Sequence, residues 1–554
     1  MNLRLVSKML GVVAVLIGVT MIFSLPWAHP GLGVRAQLAT HPSAEFEKVG
    51  FLSLLGSVAV CFAVGALFYG YGRKGSGRLY RKEAMAVVGM SWVLATILGA
   101  LPFWFSDTLS VVDSLFESQS GFSTTGATVI TDLENPSLVP HCILFWRSST
   151  HFLGGLGIIV LFVVLLGQGS AGKALMRAEM PGPTKEGSTS RMQHTAWLFA
   201  AIYCALNVLL TIILKLFGLS LFDAFCHAFG TLATGGFSTY NASLGHFNSP
   251  LIDSTIIVFM VLAGTNFTLL YLLLMRQPMK LLVDVEWRTY MSVIVGVTIL
   301  VVCIGLYRED FGGFSEALLD GLFQVVSIVT TTGYGTADFD SWNSFGRGVL
   351  LLLMFVGGCA GSTGGGMKVI RHVLFQKIIW LEIEQAYRPT VVRPLRLGGK
   401  LVEDQDLRKN ILVYFGLVLV IFVFSWMFLV ATEPESTWGE VASTESSDPP
   451  DPQAKAAATR AEPNGLASGD TALPPTDPEA GQTGEIRHKL IDSASAIAAT
   501  LNNIGPGLGT VGPKENYAHF SWHSKLLFIW LMMLGRLELF SILVLVIPGF
   551  WRSR

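Results

Sequence analysis

The chain has 554 residues, of which 51% are hydrophobic and only 14% charged, and its mean hydropathy is +0.54. That composition belongs in a bilayer and excludes an ordinary soluble domain. The net charge of -1 leaves no basic excess for a nucleic-acid partner, and Cys61, Cys142, Cys204, Cys226, Cys303 and Cys359 form no CxxC pair, so neither a disulfide framework nor a zinc site is indicated.

Apolar runs of spanning length fall near 8–27, 50–71, 84–104, 143–167, 196–217, 254–276, 289–307, 347–370, 410–432 and 525–550, about ten helices in all. The first follows Arg4 and Lys8, is long, and has no small-residue cleavage site after it, so it reads as a retained span and not a signal peptide. Shorter half-apolar segments occupy 111–122, 221–232, 316–329 and 490–501. They are too short to cross a bilayer, and each runs into a Gly-containing polar loop, as re-entrant helices do.

Lys and Arg cluster in alternate connections: Arg73 to Lys82, Lys173 to Arg191, Arg276 to Arg288, and above all 368–410. The intervening connections carry Asp107, Asp132, Glu134, Asp253, Asp310, Asp338 and Asp340. The positive-inside rule therefore places both termini in the cytoplasm and all four re-entrant loops on the outer side. Residues 433–485 are dominated by Pro, Ala, Ser, Thr, Gly and acidic residues. Too little apolar surface is present there to offset ordering entropy, so that stretch is expected to be disordered.

Each re-entrant segment ends in a similar loop. The four candidates are Thr124-Thr125-Gly126, Ala233-Thr234-Gly235, Thr331-Thr332-Gly333 and Asn503-Ile504-Gly505. Gly126, Gly235 and Gly333 recur at intervals of about 100 residues, and the interval to Gly505 is longer by about the length of the polar insertion. Four copies in one chain imply a four-walled cation pathway. Each short helix would aim its partly negative C-terminus at the centre of the membrane, and each loop would offer backbone carbonyls in place of water.

A second glycine-rich segment interrupts the apolar run 347–370. Gly357, Gly358, Gly361, Gly364, Gly365 and Gly366, with Ala360, Ser362 and Thr363 between them, cannot hold a helix when each glycine costs about 1 kcal/mol relative to alanine. Irregular backbone at that depth belongs beside a water-filled cavity, so a flexible loop below the pathway is expected. Lys368 follows it, but the GxxxxGK[ST] spacing of a phosphate-binding loop is absent. Arg536 lies inside the last apolar run, where a cation is costly. It reads either as a structural group paired with Glu538 or with another repeat's carbonyls, or as a barrier in the pathway. Arg147 and Glu117 read as structural, and His151 and His227 as packing or hydrogen-bonding residues.

The motifs Ser120-Gly121-Phe122-Ser123-Thr124-Thr125-Gly126-Ala127-Thr128, Leu153-Gly154-Gly155-Leu156-Gly157, Ala263-Gly264-Thr265-Asn266-Phe267, Gly357 to Lys368 and Gly535-Arg536-Leu537-Glu538 resemble those of the Trk/Ktr/HKT superfamily of potassium transporters. The resemblance covers nearly all of the chain outside 433–485 and is nearest to the TrkH-type pore subunit, which shares the two spans ahead of the first repeat. It implies an all-α integral membrane protein: two N-terminal spans (1–75), then four span–pore-helix–span repeats (76–180, 181–285, 286–400 and 401–554) around one ion pore. It implies potassium as the transported ion, since a glycine in all four loops accompanies potassium preference and serine in the first loop accompanies sodium. It also implies the Gly357–Gly366 loop and Arg536 as the gate, a homodimer in the bacterial inner membrane, and a cytosolic nucleotide-binding regulatory subunit of TrkA type. No dinucleotide-binding fingerprint is present in this chain to do that job itself. Channel-like conduction and sodium- or proton-coupled symport remain open at this level, whereas no nucleophile–base constellation marks an enzyme.

Overall fold

The computed structural model describes residues 1–32, 46–75, 80–165, 189–389, 396–397, 400–401, 405–438 and 478–551. Two helices, α1 (Leu3–Ile22) and α2 (Lys48–Gly72), form an N-terminal hairpin. Their close approach needs small residues, as helix pairs in lipid generally do. A Cβ on Gly72 would lie 2.5 Å from the Lys8 amide nitrogen and 2.7 Å from the Arg4 carbonyl oxygen, and one on Gly11 would lie 2.8 Å from the Gly65 carbonyl oxygen.

Four units of one plan follow. The first is α3 (Arg81–Phe105), α4 (Val111–Phe122) and α5 (His141–Leu165). The second is α6 (Thr189–Leu216), α7 (Leu221–Leu232) and a broken pair, α8 (Pro250–Ala263) and α9 (Phe267–Leu274). A short helix, α10 (Pro278–Val283), leads to the third unit: α11 (Val285–Tyr307), α12 (Phe314–Val329), α13 (Ser344–Leu353) and α14 (Val369–Tyr387). The fourth holds α15 (Gln405–Thr432), α16 (Pro478–Leu501), α17 (Trp522–Arg536), α18 (Glu538–Val546) and the terminal turn α19 (Pro548–Trp551).

Local chemistry sets the short helices. Ser110 caps α4 by accepting the Asp113 N–H, and its own hydroxyl donates to the Asp113 carboxylate. Ser220 and Asp223 repeat that box on α7. Both helices have 12 residues, about 18 Å, and cannot cross a hydrocarbon core of about 30 Å. Their bounds are those expected from sequence. α12 begins two residues earlier than expected, and α16 twelve residues earlier, at Pro478.

Three expected spans are not continuous. The run 254–276 bends by 106° between α8 and α9, because Gly264 ends one helix and Asn266 caps the next by accepting the Thr268 N–H. The run 347–370 stops being helical after Leu353, where the glycines begin. The run 525–550 breaks at Leu537. The expected disorder at 433–485 also needs correction at its ends. Residues 435–437 form a 3-10 turn, and Glu433 is buried, accepting both the N–H and the hydroxyl of Ser521. Residues 439–477 lie outside the described residues, as do most of the basic connection 168–195 and part of 390–404.

The helix hairpin supplies a first test. Gly72→Leu pushes a side chain into the backbone of α1, an overpacking cost of about 1–3 kcal/mol. Gly70→Leu, at a site with nothing within 4 Å of the added Cβ, is the control. The thermal midpoint in detergent falls for the first and not for the second; equal midpoints would remove close packing as the hairpin's basis.

Candidate functional site

The helices α4, α7, α12 and α16 end at Phe122, Leu232, Val329 and Leu501, and each is followed by a turn of one geometry. Thr124, Thr234, Thr331 and Asn503 are left-handed (φ 51°, 55°, 59° and 55°), and two residues later so are Gly126, Gly236, Gly333 and Gly505 (φ 85°, 78°, 78° and 98°). The intervening amide bonds back to its helix in every copy: Thr125 to Ser120 at 2.9 Å, Gly235 to Gly230 at 2.8 Å, Thr332 to Ser327 at 2.8 Å and Ile504 to Ala499 at 2.8 Å.

This pattern corrects the sequence register in the second copy. Gly236, not Gly235, is the counterpart of Gly126, Gly333 and Gly505. Ala233 belongs with Ser123, Thr330 and Asn502 as the helix C-cap, so the turn is Thr234-Gly235-Gly236. Two adjacent glycines hide which one is left-handed. The polar-x-Gly spacing shared by Thr124/Gly126, Thr331/Gly333 and Asn503/Gly505 is the signal that would have resolved it.

The turns touch in a ring. A Cβ on Gly126 would overlap the Gly235 carbonyl oxygen, one on Gly236 that of Thr332, one on Gly333 that of Ile504, and one on Gly505 that of Thr125. Unit one meets two, two meets three, three meets four, and four meets one, so the four turns surround a single axis. A side chain at any of these glycines requires both a strained backbone and a displaced neighbouring carbonyl.

A polar shell holds the ring. Buried Arg147 donates Nε to Glu117 Oε1 at 2.6 Å and a terminal nitrogen to the Ser238 carbonyl at 2.9 Å, with its guanidinium 3.5 Å from the Phe237 ring centre. Glu117 also accepts the Val129 N–H at 3.0 Å. Tyr334 Oη donates to the carbonyls of His227 and Phe237, and Tyr517 Oη to that of Gly505 at 2.9 Å. Asn503 Nδ2 reaches Thr125 Oγ1 at 2.9 Å and the Met532 carbonyl at 2.8 Å. His227 bonds the Asp223 carbonyl and Ser238 Oγ, while His151 stacks on Phe237 at 4.0 Å.

The glycine-rich segment lies against the helix side of these turns. Its neck is pinched by two bonds, Gly357 N–H to the Met367 carbonyl at 2.8 Å and Val369 N–H to the Gly358 carbonyl at 3.1 Å. Between them, Gly365 N–H donates to Thr331 Oγ1 at 2.8 Å, and Gly366 approaches Asn502. Ser362 Oγ bonds the Cys359 carbonyl, and Thr363 bonds that of Ala263 through both its N–H and its hydroxyl. Gly361, left-handed at φ 72°, offers its carbonyl to the Phe267 N–H. Lys368 Nζ donates to the carbonyls of Gly364 and Gly365. Ala360 N–H donates to Glu286 Oε1 at 2.7 Å. Arg536 reaches from α17 to the Thr363 carbonyl at 2.6 Å and the Gly154 carbonyl at 2.8 Å, bridging units four, three and one. Of the partners weighed for it from sequence, backbone carbonyls of other units are present, and the Glu538 side chain lies outside the description. Sequence reasoning passed over Glu286 and Tyr517. Glu286 is an acid at the foot of an apolar run beside a basic connection, and that contrast was its only mark.

A family model described as "Cation transport protein", TrkH, matches residues 54–438. The Trk system potassium uptake protein TrkH of Salmonella typhimurium is 32% identical over 558 residues, and that of Escherichia coli K12 33% identical over 561, each alignment covering all of both chains. The crystal structure of the potassium transporter TrkH from Vibrio parahaemolyticus matches with a TM-score of 0.78 at 30% identity, again over both whole chains. The chain belongs to the TrkH family of cation transport proteins, a transport family and not an enzyme family.

Around the ring, Asp340 joins units three and four by accepting the Gly509 N–H at 3.1 Å with both carboxylate oxygens. Burial, against the opposing Gly509 N–H and Arg347 and with the help of Asp338 and Asp492, pushes its carboxyl up to about 7. The folded value lies above the ordinary one, so the stabilisation from this group is fully present in the ordinary carboxyl range and is lost as pH rises through about 7. The thermal midpoint of the wild type is therefore expected to drop between about pH 5 and about pH 8 by more than that of Asp340→Asn. Parallel profiles would show that Asp340 does not titrate in this window.

Proposed function

We propose that this member of the TrkH family takes up potassium ions across the bacterial cytoplasmic membrane through the ring of four turns. The observation that carries the proposal is the cyclic glycine-to-carbonyl contact, which brings Thr124–Gly126, Thr234–Gly236, Thr331–Gly333 and Asn503–Gly505 around one axis. Main-chain carbonyls held at such a ring replace the hydration shell of a cation, and the partly negative ends of four helices favour it just below the turns. The names of the relatives, all potassium uptake proteins of a Trk system, support potassium as the ion. The basic connections support cytoplasmic termini with the ring toward the outside.

On this reading the Gly357–Gly366 loop and Arg536 form the barrier below the filter, and Lys368 steadies it. A TrkA-type nucleotide-binding subunit in the cytosol biases the loop, and two copies of the chain assemble as a dimer with one pore each. Reversal potentials in proteoliposomes under independent potassium and sodium gradients test the mode of transport. The expected potential follows potassium alone; one that moves with sodium or protons assigns coupled symport instead.

Two variants test the parts. Gly126→Ser places a side chain at φ 85° against the Gly235 carbonyl. Potassium-over-sodium permeability is expected to fall about tenfold, equivalent to about 1.4 kcal/mol. Unchanged selectivity in a folded variant would remove Gly126 from the filter. Deleting part of Gly361–Gly366 is expected to raise basal rubidium uptake, and a silent, folded deletion would remove the loop from gating.

A further inference from the structure

The glycine-rich loop has no regular structure of its own, so its buried amides depend on partners elsewhere. Most are backbone carbonyls. Two side-chain oxygens also serve: Thr331 Oγ1, which accepts the Gly365 N–H, and one carboxylate oxygen, Oε1 of Glu286 in the first turn of α11, which accepts the Ala360 N–H at 2.7 Å and the Ile370 N–H at 3.1 Å. Ala360 lies just inside the loop, beyond the Gly358 side of the pinched neck, and Ile370 lies just outside it, in the first turn of α14. A single buried atom therefore ties the two limbs of the loop together and both of them to α11.

We propose that Glu286 is the latch of the loop: a positioning residue that holds the neck closed, so that withdrawing its oxygen frees the loop to leave the helix side of the filter. The latch rests on the reading of the loop as a gate. Its chemistry is the reach and acceptor capacity of one oxygen. Glutamine preserves both. Aspartate keeps the charge but retracts the oxygen by one methylene, out of reach of at least one amide. Alanine removes the acceptor. The neighbouring Cys359 is a built-in reporter, since it is buried within the loop and its N–H is bonded to the Gly264 carbonyl.

The test uses the purified full-length chain, without other components, in two measurements: rubidium uptake into proteoliposomes, and the rate of Cys359 alkylation by N-ethylmaleimide, taken as the difference from Cys359→Ser. Glu286→Asp and Glu286→Ala are expected to raise both by about tenfold, within the usual range for coupling between sites, and Glu286→Gln by no more than about twofold. Either Asp or Ala suffices if the other does not fold. If Gln behaves as Ala does, charge and not acceptor geometry is at work and the latch is overturned. If thiol reactivity rises without uptake, Glu286 serves loop packing alone and its gating role is overturned. If Asp and Ala leave both readouts unchanged while the Gly361–Gly366 deletion raises uptake, the latch fails and the gate stands. If the deletion is silent as well, the gate reading itself falls.

Discussion

A left-handed glycine seated against the carbonyl of the next unit is the contact on which this architecture depends. Any Cβ at Gly126, Gly236, Gly333 or Gly505 would strike a neighbouring main chain, so the ring closes only because all four positions lack one. Closing it has a cost: carbonyls are crowded around an axis and turned away from their usual helical partners. The shell behind them supplies the restraint. Glu117 and Arg147, both of unit one, form a fully buried ion pair, the kind whose breakage costs about 3–5 kcal/mol, and Arg147 extends it across the seam to the Ser238 carbonyl of unit two. Tyr334 plays the same part at the seam between units two and three with neutral hydrogen bonds, while Tyr517 holds the Gly505 carbonyl within unit four and donates its N–H to the Thr128 carbonyl of unit one.

The broken helices obey the same constraint from the other side of the ring. A gap in a helix at membrane depth leaves amides and carbonyls unmatched, and lipid cannot satisfy them. Here two gaps satisfy each other. Cys359 N–H donates to the Gly264 carbonyl, Thr363 N–H to that of Ala263, and Phe267 N–H to that of Gly361, so the break between α8 and α9 is the template for the loop of unit three. The 106° bend is thus part of the loop's support and not an isolated kink. α5, which shows no such break, contributes the Gly154 carbonyl to Arg536 from inside a continuous helix.

Much of this was legible before any coordinates. The bounds of α4 and α7 could be read because each is a half-apolar segment that runs directly into a polar glycine turn, a local signal. The loops were recognisable by repetition. What failed was information that sequence averages out or leaves degenerate. Hydropathy over a window cannot see that 254–276 and 525–550 are broken, since three or four residues decide it. Gly235 and Gly236 are chemically identical, so only alignment to the Thr-x-Gly spacing of the other turns separates them. The role of Glu286 was not legible, because it depends on two amides more than seventy residues away.

The same geometry accounts for how a loop this rich in glycine holds one shape. Its carbonyls are engaged by fixed cations of the protein itself: Lys368 on Gly364 and Gly365, Arg536 on Thr363. Such charge-assisted bonds are stronger than neutral ones and gain further in a low-dielectric interior. On the proposed reading, a permeant cation arriving from the filter meets carbonyls already committed to a guanidinium and an ammonium, and two positive charges besides. Opening then requires the loop to exchange tethered cations for water and a mobile ion together. A single flexible segment therefore acts as a barrier both by filling space and by spending its electronegative surface on charges that cannot leave.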